Sequence, residues 1–209
     1  MTKENFLEHP IVSQSFAIID QEIREHTLDP WQYQIARRVI HTTADFEYLD
    51  LLHFSPGAIN KGIAALHSGV PIVTDVNLVK QGIVNLVKKT FNNPLIVALE
   101  SAQIAENGKT RSEIGMEICS AEYPDAIYLI GNAPTALMAL CHNVIHSKVS
   151  PSLVIGAPVG FVSVVEAKKT LSELDLPQIL VQGRKGGSTV AAAIFNALLL
   201  LAWKNSREF

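Results

Sequence analysis

His41 closes a basic helical stretch and opens a polar one, which is the setting a proton-transfer residue needs. It follows Arg37-Arg38-Val39-Ile40 and precedes Thr42, Thr43 and Asp45. A histidine there can titrate near neutrality, as a general acid must. Arg37 and Arg38 can bind a carboxylate and hold a substrate against the ring, with the hydroxyls of Thr42 and Thr43 as further candidate contacts. An ordinary histidine at a helix C-terminus would also be favoured by the helix dipole, so spacing alone leaves both readings open.

The other six histidines sort differently. His9 and His26 lie near element ends in polar surroundings and are expected in solvent. His53 and His67 sit on stretches that read as helical beside apolar residues, where packing is the default. His142 and His146 stand four apart on one helix face, a spacing that can hold a metal. That run reads HNVIH, with Asn143 where a metalloprotease carries its catalytic Glu, and no third ligand is evident. No metal site is expected.

Three glycine-rich junctions come next. GRKGGST, Gly183 to Thr189, lies between a strand and a helix, and its glycines allow close backbone approach to a ligand. A helix N-terminus there presents free N–H groups to an anion, and Arg184 and Lys185 add cationic donors beside Gly186, Gly187 and Ser188. A plain tight turn is the other reading. The run is neither a P-loop nor GxGxxG, because its lysine precedes the glycine pair. GNAPTA, Gly131 to Ala136, offers the Asn132 amide or serves only to cap the next helix. GAPVGF, Gly156 to Phe161, supplies shape and backbone donors but no catalytic side chain.

These junctions need elements to position them. Apolar residues at helical spacing mark helices over Ile11–Ile23 and Pro30–His41, and a third begins after Ser55-Pro56 and ends near Gly69. Beyond Gly69 the pattern becomes short apolar runs without alternation, as in strands buried on both faces. They fall at Val70–Val73, Pro94–Leu99, Ala126–Ile130, Leu153–Ile155 and Gln178–Val181. Helical patterns separate them: Val76–Lys89, Ser101–Ala105, Arg111–Ala121, Pro134–His146, Val162–Leu174 and Ser188–Trp203. The alternation implies βαβ units and a parallel sheet covered on both faces, with three helices preceding it in one domain, 1–209. Ligands in such a sheet bind beyond the carboxyl ends of the strands, where all three glycine-rich junctions lie.

Composition bounds the function. The chain has 209 residues, 48% hydrophobic and 18% charged, enough to build a core and too little charged for disorder. A formal charge of −3 argues against a general nucleic-acid or anionic-membrane binder, while leaving room for a local basic pocket. Cys119 and Cys141 sit inside apolar helical patterns and read as buried thiols. Met1 to Pro10 is too charged for a signal peptide, and Val190–Trp203 is shorter than a bilayer requires, so a cytoplasmic protein is expected.

Several of these segments together resemble one family. SFAIID from Ser15, RVIHTTADFEY from Arg38, FSP from Phe54, TRSEIGMEI from Thr110, GNAPTAL from Gly131, GAPVGFV from Gly156 and GRKGGSTVAAAIFNALL from Gly183 are similar to the precorrin-8X and cobalt-precorrin-8 methylmutases of cobalamin synthesis. The resemblance runs from Ser15 to Ala202, in order and without large gaps. It implies a three-layer α/β/α sandwich on a mainly parallel central sheet, assembled as a homodimer with the substrate near the subunit interface. The implied reaction moves a methyl group from C11 to C12 of the corrin precursor, giving hydrogenobyrinate or cobyrinate, with no cofactor and any cobalt carried by the substrate. The family's catalytic histidine falls on His41, and its substrate-contacting serine and arginine fall on Ser15 and Arg38. Arg111, Arg184 and Lys185 would meet the carboxylate rim of the corrinoid, and Phe16 and Phe161 its apolar ring. HTTADF inclines the reading to the cobalt-dependent branch. A non-catalytic corrinoid carrier is the alternative, although binding alone would not need a placed acid.

Overall fold

The computed structural model describes residues 9–105, 108–146 and 149–206. Of the charged N-terminal stretch read above as no signal peptide, only His9 and Pro10 are among them. Two capped helices open the described chain. In α1 (Pro10–Glu22) the His9 ring accepts the N–H of Ile11. In α2 (Pro30–Thr43) Asp29 accepts the N–H groups of Trp31 and Gln32, and the Gln32 side chain returns to the Asp29 N–H. This reciprocal cap and a proline in the first turn fix where α2 begins.

The remaining elements, in order, are α3 (Tyr48–Leu51), β1 (Leu52–Phe54), α4 (Ala58–His67), β2 (Ile72–Thr74), α5 (Asn77–Lys89), β3 (Leu95–Val97), α6 (Ala98–Ser101), α7 (Arg111–Glu122), β4 (Ile127–Ile130), α8 (Pro134–His146), β5 (Leu153–Gly156), α9 (Val164–Ser172), β6 (Gln178–Val181) and α10 (Ser188–Asn205). The six strands form one sheet in the order β1-β6-β5-β4-β2-β3. All pairs are parallel except β1 with β6. After β3 the chain crosses back to place β4 on the other side of β2, so the strand order reverses there.

Strand residues alternate between two cores. Ile72, Ile127, Leu129, Leu153, Ile155, Ile179 and Val181 face α10 and the helices around it. Val73, Tyr128, Ile130, Val154 and Leu180 face α7, α8 and α9. The expected three-layer sandwich is therefore present. The C-terminal helix α10, apolar nearly all round, packs against α2, α4 and α5 and is buried along most of its length. An all-round apolar helix is stable when every face finds protein.

Four local expectations change. β1 lies within the stretch read as helices preceding the sheet, so His53 stands exposed on an edge strand instead of packing on a helix. Three residues are too few to show alternation, and pairing of Leu52 with Val181 decides their conformation. Ser55-Pro56 does not cap α4. Gly57, in the left-handed conformation at φ 71°, does the turning, while Ser55 Oγ accepts the Gln178 N–H and donates to the Leu176 carbonyl. The predicted strand over Pro94–Leu99 stops at Val97, and the helix expected over Ser101–Ala105 is instead α6. A Cβ on Gly115 would stand 1.8 Å from the Ala98 oxygen, so α6 begins where the backbone of α7 presses on it.

Candidate active site

Helix α2 delivers His41 and then stops abruptly. Ala44 takes the left-handed conformation at φ 53°, and its N–H returns to the Ile40 carbonyl. Buried Ile35, Ala36, Val39 and Ile40 seat the inner face of α2 on the core, which leaves His41 exposed in the last turn. α1 lies against α2 and brings two residues to the ring. Ser15 Oγ and His41 Nδ1 are 2.7 Å apart and share a hydrogen bond. Phe16 meets the imidazole edge-on at 5.5 Å between centroids. With Nδ1 engaged, Nε2 is the nitrogen left to face a substrate.

The two arginines of α2 are placed differently. Arg37 is bound to Asp20 at 2.7 Å and lies over Phe16 at 4.4 Å, so it fastens α2 to α1. Arg38 lies 5.6 Å from the Phe16 centroid. Both line a groove of about 320 Å³ between α1, α2 and α10, together with Phe16 and Lys204. Thr42 and Thr43 are brought to the site by sequence, but their hydroxyls donate back to the Arg38 and Val39 carbonyls at 2.9 Å. Their hydroxyl protons serve the helix, and lone pairs are what they can offer a ligand.

The loop between β6 and α10 arrives beside this helix end. Lys185 Nζ is 2.5 Å from Asp45 and 2.9 Å from Glu47, the acids just past His41. The lysine holds the Asp45 carboxyl below the usual carboxylate range, and the acids push the lysine up. Lys185, expected to meet substrate, thus already has its charge matched. Arg184 is exposed and lies 5.6 Å from the ring of Phe161, itself 84% exposed. The Gly187 N–H donates to the Ala157 carbonyl at 2.8 Å, and the Gly186 backbone lies near the buried Tyr48 hydroxyl. A Cβ on Gly186 would stand 2.3 Å from the Ala157 oxygen, at a φ of +150°. Only glycine lets the two loops approach this closely.

Where the strand order reverses, the chain fills its own crevice. Asp75, fully buried after β2, accepts the N–H groups of Gly131 at 3.1 Å and of Asn132 and Ala133 at 2.7 Å. Burial pushes its carboxyl up, and these backbone donors pull the other way. The Asn132 side chain is exposed beside this knot. Arg111 donates to the Ala102 carbonyl at 3.0 Å and the Leu99 carbonyl at 3.1 Å, closing the end of α6. The structure thus brings His41, Ser15, Phe16 and Arg38 together, with the Gly183–Ser188 loop tied to the same helix end by Lys185. Asn132 and Arg111 belong to a second cluster at the same edge of the sheet, linked through Thr110 and Thr135, whose hydroxyls are 2.8 Å apart. Gly131 packs against the Ser188 backbone and so joins the two.

Sequence reasoning gave Asp45 only as part of the polar setting of His41 and gave no role to Tyr48 or Lys168. Asp45 and Tyr48 matter only once the loop is in place, and Lys168 reads as one of two adjacent solvent lysines on α9. His142 and His146 stack at 4.2 Å, with His146 Nδ1 against the His142 carbonyl oxygen at 3.0 Å, and no metal-holding cluster occurs among the described residues.

The family model for precorrin-8X methylmutase matches residues 10–201. The cobalt-precorrin-8 methylmutase of Synechocystis sp. is 55% identical, with 95% of this chain and 98% of that protein covered. The precorrin-8X methylmutase of Pseudomonas aeruginosa is 37% identical, with 90% and 93% covered. The crystal structure of precorrin-8X methylmutase from Thermus thermophilus superposes with a TM-score of 0.86 at 37% identity, covering 95% of this chain and 98% of that one. These relatives are named as methylmutases, which gives no support to a carrier. From residue 10 to residue 201, the chain belongs to the precorrin-8X methylmutase family.

Proposed function

We propose that this chain moves the C11 methyl group of cobalt-precorrin-8 to C12, giving cobyrinate, with His41 as the general acid. Family membership makes it an isomerase of cobalamin biosynthesis that shifts a methyl within its substrate. The Ser15–His41 hydrogen bond carries the assignment of the acid, because it fixes the ring of an exposed histidine in one orientation. In this reading Nε2 donates a proton to the conjugated macrocycle. The electron-poor ring accepts the migrating methyl at C12 as its bond to C11 breaks, and the ring then returns one proton, so substrate and product have equal mass. Arg38, the Arg184 side chain and the Arg184 backbone N–H would meet the carboxylate rim. The cobalt-bearing substrate is favoured over precorrin-8X by the higher identity to the Synechocystis protein.

No cofactor enters this scheme, and cobalt would come with the substrate. We also infer a cytoplasmic homodimer that binds neither nucleic acid nor membrane. His41 is open on the protomer, and Phe161 and Val162 expose 84% and 82% of their surface beside the loop, so a second copy could close the site. Purified protein mixed with cobalt-precorrin-8 should change its visible spectrum as product forms. His41→Ala should retain corrinoid binding and lose turnover; near-wild-type turnover by that variant would sink the assignment.

A further inference from the structure

We propose that Lys168, buried beneath the Gly183–Gly187 loop, is a positioning residue that aims the Arg184 N–H and its own positive charge at the substrate's carboxylates. The proposal rests on the reading of that loop as a carboxylate site. Lys168 is 2% exposed, in the middle of α9. Its ammonium donates to the Gly183 carbonyl at 2.8 Å and the Lys185 carbonyl at 2.7 Å. No ion pair of Lys168 occurs among the described residues, and burial alone lowers its pKa to about 8. It is therefore a cation at neutral pH, lodged in the protein without a carboxylate to offset it. A buried ammonium in that condition is costly, and a neutral residue could fill the space.

Peptide planarity shows what the charge does. In a trans peptide the C=O and the next residue's N–H point in opposite directions. Holding the Gly183 and Lys185 oxygens towards α9 turns the N–H groups of Arg184 and Gly186 the other way. The second of these lies on the side of the Tyr48 hydroxyl, beside the helix end that carries His41. The Arg184 carbonyl accepts from Gly160 at 3.3 Å, which ties the neighbouring loop into the same arrangement. A charge under these two peptides also polarises them, so the outward Arg184 N–H becomes a better donor to an anion.

The test compares Lys168→Met, Lys168→Arg and Arg184→Ala as full-length proteins. It measures turnover of cobalt-precorrin-8 and the Kd of cobyrinate, each at low and high salt. Lys168→Met should raise KM and Kd about tenfold with kcat nearly unchanged, as expected when ground-state and transition-state binding are lost together. High salt should narrow that difference, because screening weakens the field that the wild type retains. Lys168→Arg, which keeps the charge and the donors, should recover most of the affinity. If Lys168→Met does not fold, Lys168→Gln replaces it under the same criteria. Weak binding by Arg184→Ala with wild-type binding by the neutral Lys168 variant overturns the role of Lys168 alone. Wild-type binding by Arg184→Ala overturns the carboxylate reading of the loop, and the proposal with it. A fall in kcat at unchanged KM in Lys168→Met would also overturn it.

Discussion

Replacing Ser15 with Ala removes one oxygen from the site and nothing else of consequence. Ser15 Oγ lies 2.7 Å from His41 Nδ1, and the residue sits half-buried on α1 with no part in the core. On the proposed role His41 gives up its proton through Nε2, and the Nδ1 partner must then hold the ring in one plane and suit both of its protonation states. A hydrogen bond to a charged group contributes about 1.5 to 3 kcal/mol, and the exposure of His41 places this one towards the lower end. Loss of that amount from the transition state lowers kcat roughly ten- to a hundredfold. Removing the acid itself, in His41→Ala, should cost on the order of 10² to 10⁴. The assay is single-turnover conversion of cobalt-precorrin-8 followed by its visible spectrum, with thermal melting as the control for folding. Ser15→Ala should melt like the wild type and keep its KM. The double variant should be no slower than His41→Ala, since an orienting partner has nothing to orient once the ring is gone. Additive losses in the double variant would refute the argument and give Ser15 a task of its own.

Lys185→Ala should weaken cobyrinate binding less than Arg184→Ala, because Asp45 and Glu47 already offset the Lys185 charge; titration of each variant checks this. Lys168 should make stability rise with pH. Its pKa is about 8 in the folded state against 10.5 unfolded, so the cost of burying the charge is complete below pH 8 and relieved as pH climbs to 10.5. The full relief is about 3 kcal/mol, and urea denaturation should show Lys168→Met lacking that rise. Gly186→Ala should force the loop away from Ala157, where the added Cβ would stand 2.3 Å from a carbonyl oxygen. A destabilisation of about 1 to 3 kcal/mol and weaker corrinoid binding, by denaturation and titration, are the expected results.

The layers of the fold were legible because β4, β5 and β6 are continuous apolar runs and the helices between them keep their period. β1 was not legible, since Leu52–Phe54 is too short for a pattern and becomes a strand only by pairing with β6. His41 stood out by its neighbours in the chain. Ser15, 26 residues earlier, is an ordinary helical serine until α1 folds back on α2, and only likeness to a family singled it out. Lys168 shows the limit most clearly. Next to Lys169, whose side chain reaches Glu173 in solvent, it reads as surface charge, yet the turn of the helix puts one lysine outside and the other beneath a loop. Asp75 follows a strand in the sequence, but the three donors converging on it from residues 131–133 are a tertiary fact.

That convergence can be viewed as competition. Backbone N–H groups after a strand, at a reversal of strand order, form the nest in which sheets of this kind seat phosphates and other small anions. Here the nest holds a carboxylate that is part of the chain. A tethered ligand is present at an effective concentration far above that of any free metabolite, and it never diffuses away. Abundant phosphates of the cell therefore meet an occupied seat. On the proposed reading, the anion-binding capacity left to the protein would be that of Arg38 and Arg184, on the side of the molecule where His41 stands.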